Sequence, residues 1–161
     1  MYNNNVKINI INCKDNKLKN IVKRAVEDVI NEEQQPHFCE VTVKFVSKNE
    51  IHKLNLDTRG IDRPTDVLSY PNINLNAGEI VDNELVKYNS FDGKNIFLGD
   101  CAICLSVAKL QAKEYGHSVY DEVRKLIVHS ILHLLGYDHI DDKDYEVMSK
   151  KEKKILGEID G

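Results

Sequence analysis

The run Leu126-Ile127-Val128-His129-Ser130-Ile131-Leu132-His133-Leu134-Leu135 constrains this chain more than any other stretch. Each helical residue turns by roughly 100°, so these apolar side chains cover nearly every face. A helix apolar all round is a buried helix. No apolar run in the chain is long enough to span a bilayer, so the interior in question is that of a protein.

The two histidines that interrupt this run lie four positions apart, an offset of about 40°, and so aim at one point. Gly136 follows, can take a positive φ and can end the helix. The chain can then fold back and bring His139 to the same point. Three ring nitrogens converge, with a fourth position open. Buried imidazoles without partners carry a desolvation penalty, and one metal ion offsets it for all three. The plainer alternative is two core histidines with backbone partners and one loop histidine. The spacing and the glycine favour the metal. Zinc suits nitrogen donors. Three protein ligands plus water is the catalytic pattern, whereas structural zinc is usually closed by four. Such an ion lowers the pKa of its water to roughly 7 and supplies hydroxide at neutral pH. Nickel, manganese and iron remain compatible with these donors. In zinc proteases of the His-Glu-x-x-His kind the residue after the first histidine is the general base. Here it is Ser130. The ligands and glycine resemble a metzincin helix, but the base is missing, and peptide hydrolysis by that route is not expected.

The remaining chain reads as one compact domain over residues 1–161. Apolar residues make up 42% and charged residues 30%, the balance of a soluble globular protein. Met1-Tyr2-Asn3-Asn4-Asn5 has no basic start and no apolar core after it, so no signal peptide is read and a cytoplasmic location is expected. Cys13, Cys39, Cys101 and Cys104 are then free thiols. Cys101 and Cys104 look like a metal or redox pair. Yet they lie on or beside a strand, where residues three apart face opposite ways, and the structural reading is preferred. A net charge of −4 argues against a generally basic nucleic-acid surface and leaves room for a local basic patch.

Val6–Ile10 and Val41–Val46 alternate as strands do. Residues 15–34 carry the stripe Leu18, Ile21, Val22, Ala25, Val26, Val29 and Ile30 of an amphipathic helix, stopped by Pro36. Ser47 and Glu50 have capping-box spacing and open a helix over 48–56, with a polar loop from Thr58 to Pro64. Val67–Tyr70 is a short apolar run. The Asn- and Asp-rich stretch 72–94 reads as a long loop or weak hairpin, and 95–103 as a strand. Helices follow over 105–115, from Ser118 to about Leu135, and from Asp141 or Asp142 to about Leu156. Lys150, Lys151, Lys153 and Lys154 on the last helix read as a solvated face rather than an RNA contact. Strands and helices alternate, so the class is α+β, or α/β-like, with a mixed sheet.

Three blocks together resemble the YbeY family of metal-dependent endoribonucleases. They are Leu54-Asn55 with Arg59-Gly60 and Arg63 to Pro71; Leu98-Gly99-Asp100-Cys101-Ala102-Ile103; and His129 to His139 followed by Met148 and Glu152. The resemblance implies a mostly parallel four-stranded sheet packed with helices around a zincin-like metal helix. It implies one Zn2+ on His129, His133 and His139. It places the functional arginine at Arg59, and it implies single-strand-specific RNA cleavage in 16S rRNA 3′-end maturation and ribosome quality control. The partners implied are single-stranded ribosomal RNA and the small ribosomal subunit, with no membrane and no DNA. Ser130 stands where the family commonly has glycine, a small change expected to face the same site, and 72–94 is longer than in compact members.

Arg59 offers a planar, permanently charged fork to phosphoryl oxygens, and Lys53 and Arg63 lie near it in sequence. Asp66, Asp100 and Asp138 are rival partners for the outer nitrogen of a ligand histidine, each otherwise an ordinary turn or capping residue. Met148 either packs beneath the metal or fills core. His37, His52 and His117 lack ligand spacing and read as surface residues. Two other functions compete: a non-catalytic ribosome-assembly factor with a structural zinc, and a metal-dependent hydrolase of another substrate.

Overall fold

The computed structural model describes residues 6–158; Met1 to Asn5, on which the expectation of no signal peptide rests, lie outside the described residues, as do 159–161. The two alternating segments form β1 (Lys7–Ile11) and β2 (Cys39–Phe45), paired in parallel. A parallel pair needs a crossover, and α1 (Asn16–Glu32) supplies it. Asp15 caps α1 by accepting from the Lys17 and Leu18 amides, and the apolar stripe from Leu18 to Ile30 is buried.

The short run at 67–71 becomes β3 (Val67–Pro71), and β4 (Ile96–Ile103) follows the long loop. β4 lies parallel to β2 and antiparallel to β3, giving the order β1-β2-β4-β3. The sheet is thus mixed, four-stranded and mostly parallel, as expected. The register shifts opposite Glu40 and Val41, where β4 holds the extra residue Leu98. Because of that bulge Leu98 and Cys101, three apart, face the same core.

The main core lies between the sheet and the helices α1 and α4 (Val119–Leu134). The opposite sheet face holds a smaller cluster of Val46, Ile51, Leu68, Ala102 and Cys104, to which α2 (Lys48–Arg59) contributes. Cys101 and Cys104 fall in different clusters, and all four cysteines are free. Burial pushes the Cys39 and Cys101 thiols up to about 12, so neither is a thiolate at neutral pH.

α4 is the central helix. Leu126, Ile127, Val128, Ile131, Leu132, Leu134 and Leu135 are all buried. It packs on α1, β3 and β4 and on two further helices, α3 (Leu105–Tyr115) before it and α5 (Asp142–Leu156) after it. Asp141 is the residue that caps α5.

One helix boundary is corrected, and one of two alternatives for the long loop is borne out. The helix read over 48–56 runs on to Arg59, because the chain does not leave it until Gly60 closes its end with an amide bonded to Leu56 O. Stretch 72–94 is no hairpin; it is a loop with one 3-10 turn over Asn83–Lys87. Its carboxylates satisfy backbone amides locally instead of leaving them to a ladder. Glu79 accepts from Asn76 N, Asp82 from Glu84 N, and Asp92 from Lys94 N and Asn95 N. Leu75 and Val81 anchor this loop in the main core. On α5, Lys151 and Lys154 pair with Glu33 and Glu32 at 3.0 and 2.7 Å, so the lysine run partly docks on the end of α1. No helix of the described residues is long and apolar enough to cross a membrane.

Candidate metal centre

The final turns of α4 carry His129 and His133, whose Nε2 atoms lie 3.1 Å apart. The chain then reverses at Gly136, with φ of 98°. A Cβ there would sit 2.3 Å from the carbonyl oxygen of Leu75, so the loop wall admits only glycine. Tyr137 plugs the turn into the core, and burial together with Glu33 beside its hydroxyl raises its pKa. Asp138 accepts from the His139 amide at 2.8 Å, and His139 comes back over the helix end. One nitrogen from each of the three histidines then lies within 4.8 Å of the others. Among the described residues no other group of three potential ligands gathers this closely, and no carboxylate or thiolate joins this one.

The protonation states suit a cation. Burial, then the neighbouring His129 and His139, lowers His133 to about 4, so it is neutral at pH 7 with a lone pair to offer. His129 Nδ1 lies 2.6 Å from Glu152 Oε1. A carboxylate only accepts, so Nδ1 carries a proton and Nε2 is the nitrogen that faces the cluster. Three nitrogen donors, none sealed off by a fourth side chain, fit one divalent metal ion with an open position.

Glu152 is the partner that sequence reasoning missed. Asp66 instead accepts from Val67 N at 2.7 Å, Asp100 sits exposed on the sheet opposite Thr42, and Asp138 holds the backbone of His139. A usable signal existed: Met148 and Glu152 are four apart on α5, and Met148 is in the main core. Glu152 therefore shares the face turned toward α4.

The three histidines and Glu152 line an open cleft of about 800 Å³, and Arg59 lines the same cleft from the end of α2. No carboxylate of the described residues is ion-paired with Arg59. Lys53 and Arg63 do not line the cleft.

The family model described as Endoribonuclease YbeY matches residues 2–160. The chain belongs to the YbeY family. Endoribonuclease YbeY of Clostridium beijerinckii is 39% identical over 147 residues, 89% of this chain and 88% of that one. The protein of the same name from Clostridium botulinum strain Loch Maree is 37% identical over 146 residues, 88% of each. The solution structure of TM1509 from Thermotoga maritima matches with a TM-score of 0.56 and 29% identity, covering 94% of this chain and 90% of that one. Membership of the YbeY family places the chain among nucleases that hydrolyse RNA.

Against the YbeY pattern, the serine after the first histidine does not face the metal cluster, contrary to expectation. Ser130 is fully buried, with Oγ 2.7 Å from Ser69 Oγ on β3. One step along a helix turns a side chain by roughly 100°, which aims Ser130 at the sheet when His129 faces the cleft. The other histidines lie outside the trio. His37 is exposed, His52 pairs with Asp62, and His117 is half-buried, 2.6 Å from the buried Glu122, rather than free on the surface.

The role of Glu152 is open to measurement. Glu152→Ala is expected to weaken metal binding roughly 10- to 100-fold with the fold intact, since the His129 ring loses its tautomer and orientation. Competition titration against a chromogenic chelator reads this, and wild-type affinity in the variant removes Glu152 from the site.

Proposed function

We propose that this chain is a zinc-dependent endoribonuclease that cuts single-stranded RNA, acting in the cytoplasm in 16S rRNA 3′-end maturation and in ribosome quality control. The observation that carries this reading is one cleft in which three imidazoles converge and which is also lined by an arginine with no carboxylate partner among the described residues. His129, His133 and His139 would hold the ion, and Glu152 keeps the His129 ring in the tautomer that can bind it. Zinc there supplies a Lewis acid and, at neutral pH, a ready source of hydroxide.

The chain's own groups do the rest. The Arg59 guanidinium binds phosphoryl oxygens in a bidentate fork and offsets the charge that grows on them as the phosphodiester is broken. Glu122 and Glu152 face the same cleft, and each is hydrogen-bonded to a histidine 2.6 Å away. The cleft is lined by Asp66, Glu122, Asp138 and Glu152 as well as by Arg59 and Lys125, so attraction for RNA phosphates there relies on these two cations together with the ion the histidines would hold. The partner this implies is single-stranded ribosomal RNA presented on the small subunit.

The test compares wild type with Arg59→Glu on end-labelled single-stranded RNA. Cleavage is expected to fall by about 100- to 1000-fold with metal content unchanged. Equal cleavage by the two proteins means the activity belongs to a contaminant and the proposal is withdrawn.

A further inference from the structure

We infer that the α3 wall of the cleft is a nucleobase subsite, in which one unpaired base of the RNA stacks on Tyr115 and meets the side-chain amide of Gln111. The inference rests on the RNA-cleaving reading above and deepens it.

Tyr115 is the last residue of α3 and lines the same cleft as the histidines, with 59% of its surface exposed. Its ring is nevertheless held in place. His117 packs against its edge at 5.9 Å and 66°, and His117 is itself locked to the buried Glu122. Lys125 Nζ stands 4.8 Å from the ring centroid, with no carboxylate of the described residues ion-paired to it. The result is an aromatic platform with a cation over one face, leaving the other face for a base, and Lys125 also lines the cleft. Platforms of this composition bind single strands: the ring takes the π-face of a base, and the cation takes the neighbouring phosphate.

Gln111 lies four residues before Tyr115, on the same face of α3, and lines the same cleft. Its Oε1 is buried with no hydrogen-bond partner. An unpaired buried acceptor is costly, and a half-turn of the amide presents it to whatever sits on Tyr115. A base edge carries a donor that satisfies Oε1 once the amide has turned it outward. A base within a duplex has neither a bare face nor a free edge, so this subsite also gives a physical reason for acting on single strands.

The experiment uses the full chain with short single-stranded RNAs carrying 2-aminopurine at one position at a time, whose fluorescence stacking quenches. Wild type, Tyr115→Phe, Tyr115→Ala and Gln111→Ala are compared in binding and in cleavage. One position is expected to be quenched on binding wild type and Tyr115→Phe, and not on binding Tyr115→Ala. Tyr115→Ala is expected to raise the dissociation constant and KM about tenfold while kcat stays within about twofold. Gln111→Ala is expected to flatten the base preference at the quenched position. If wild type binds and cuts RNA but Tyr115→Ala shows the same quenching and affinity, the subsite is wrong and the nuclease reading stands. If wild type neither binds nor cuts any of these RNAs, both fall.

Discussion

His133→Ala is expected to leave the protein folded, without bound metal, and at least about 1000-fold slower in RNA cleavage. His133 is the middle ligand. Its Nε2 is 3.1 Å from that of His129, and its ring centroid lies 4.6 and 5.1 Å from those of His129 and His139. Two imidazoles alone leave the ion mostly to solvent. A Lewis acid contributes several kcal/mol of charge stabilisation, and each 1.36 kcal/mol is tenfold in rate, which sets the size of the loss. The same substitution has a second signature in metal-free protein. Burial and its histidine neighbours hold His133 at about 4 when folded, against 6.5 unfolded. Between those values the unfolded chain binds more protons, so wild-type stability is full above about 6.5 and is lost as pH falls toward about 4. The variant lacks that contribution, and its melting temperature should fall less steeply over the same range. Metal content per chain, labelled-RNA cleavage and melting curves of metal-free protein across this window read the three effects. Undiminished metal content or wild-type cleavage in the variant would remove His133 from the centre.

Gly136→Ala is expected to cost about 3–5 kcal/mol and to take His139 out of the cluster. The residue has φ of 98°, and a Cβ would meet Leu75 O at 2.3 Å, Leu75 C at 2.7 Å and Asn76 C at 2.8 Å. These are backbone atoms of a neighbouring segment, so no side chain can swing aside. Left-handed strain of about 1–3 kcal/mol adds to an overpacking cost of similar size. For a chain of this length that is a fall of roughly 8–15 °C in melting temperature. Gly157→Ala is the control. It shares a left-handed φ of 76° but has nothing within 4 Å of its Cβ position, so it bears the strain alone. Because Gly136 is the hinge between His133 and His139, metal affinity should fall with stability in Gly136→Ala and hold in Gly157→Ala. Equal melting temperatures for the two variants would show that the close approach to Leu75 is not what the turn requires.

What could be read without coordinates was local. The periodic stripes that became α1 and α4, the Ser47–Glu50 capping box and the alternation of β1 and β2 each lie within a few residues of one another, where backbone geometry alone dictates which side chains share a face. The histidine trio belongs to the same class: two ligands follow from helical spacing and the third from one glycine turn. The differences are ones of length and of distance. The end of α2 is not legible locally because its glycine lies beyond the last apolar position, and the stretch 72–94 reads as loop or hairpin because its carboxylates bond their own backbone.

Sequence alone therefore determined which three histidines converge, the buried character of the helix that bears two of them and the alternation of strand and helix. Only the packed molecule decided that Glu152 and not an aspartate holds His129, that Arg59 and Tyr115 share a cleft with the metal ligands, and that Leu75 forms the wall against which Gly136 turns. The reason is the range of the forces. Spacing within a helix or turn is set by covalent geometry over a few residues. The approach of α5 to α4, or of a loop to a helix end, is the sum of many weak apolar contacts between segments far apart in the chain, and no short window contains it.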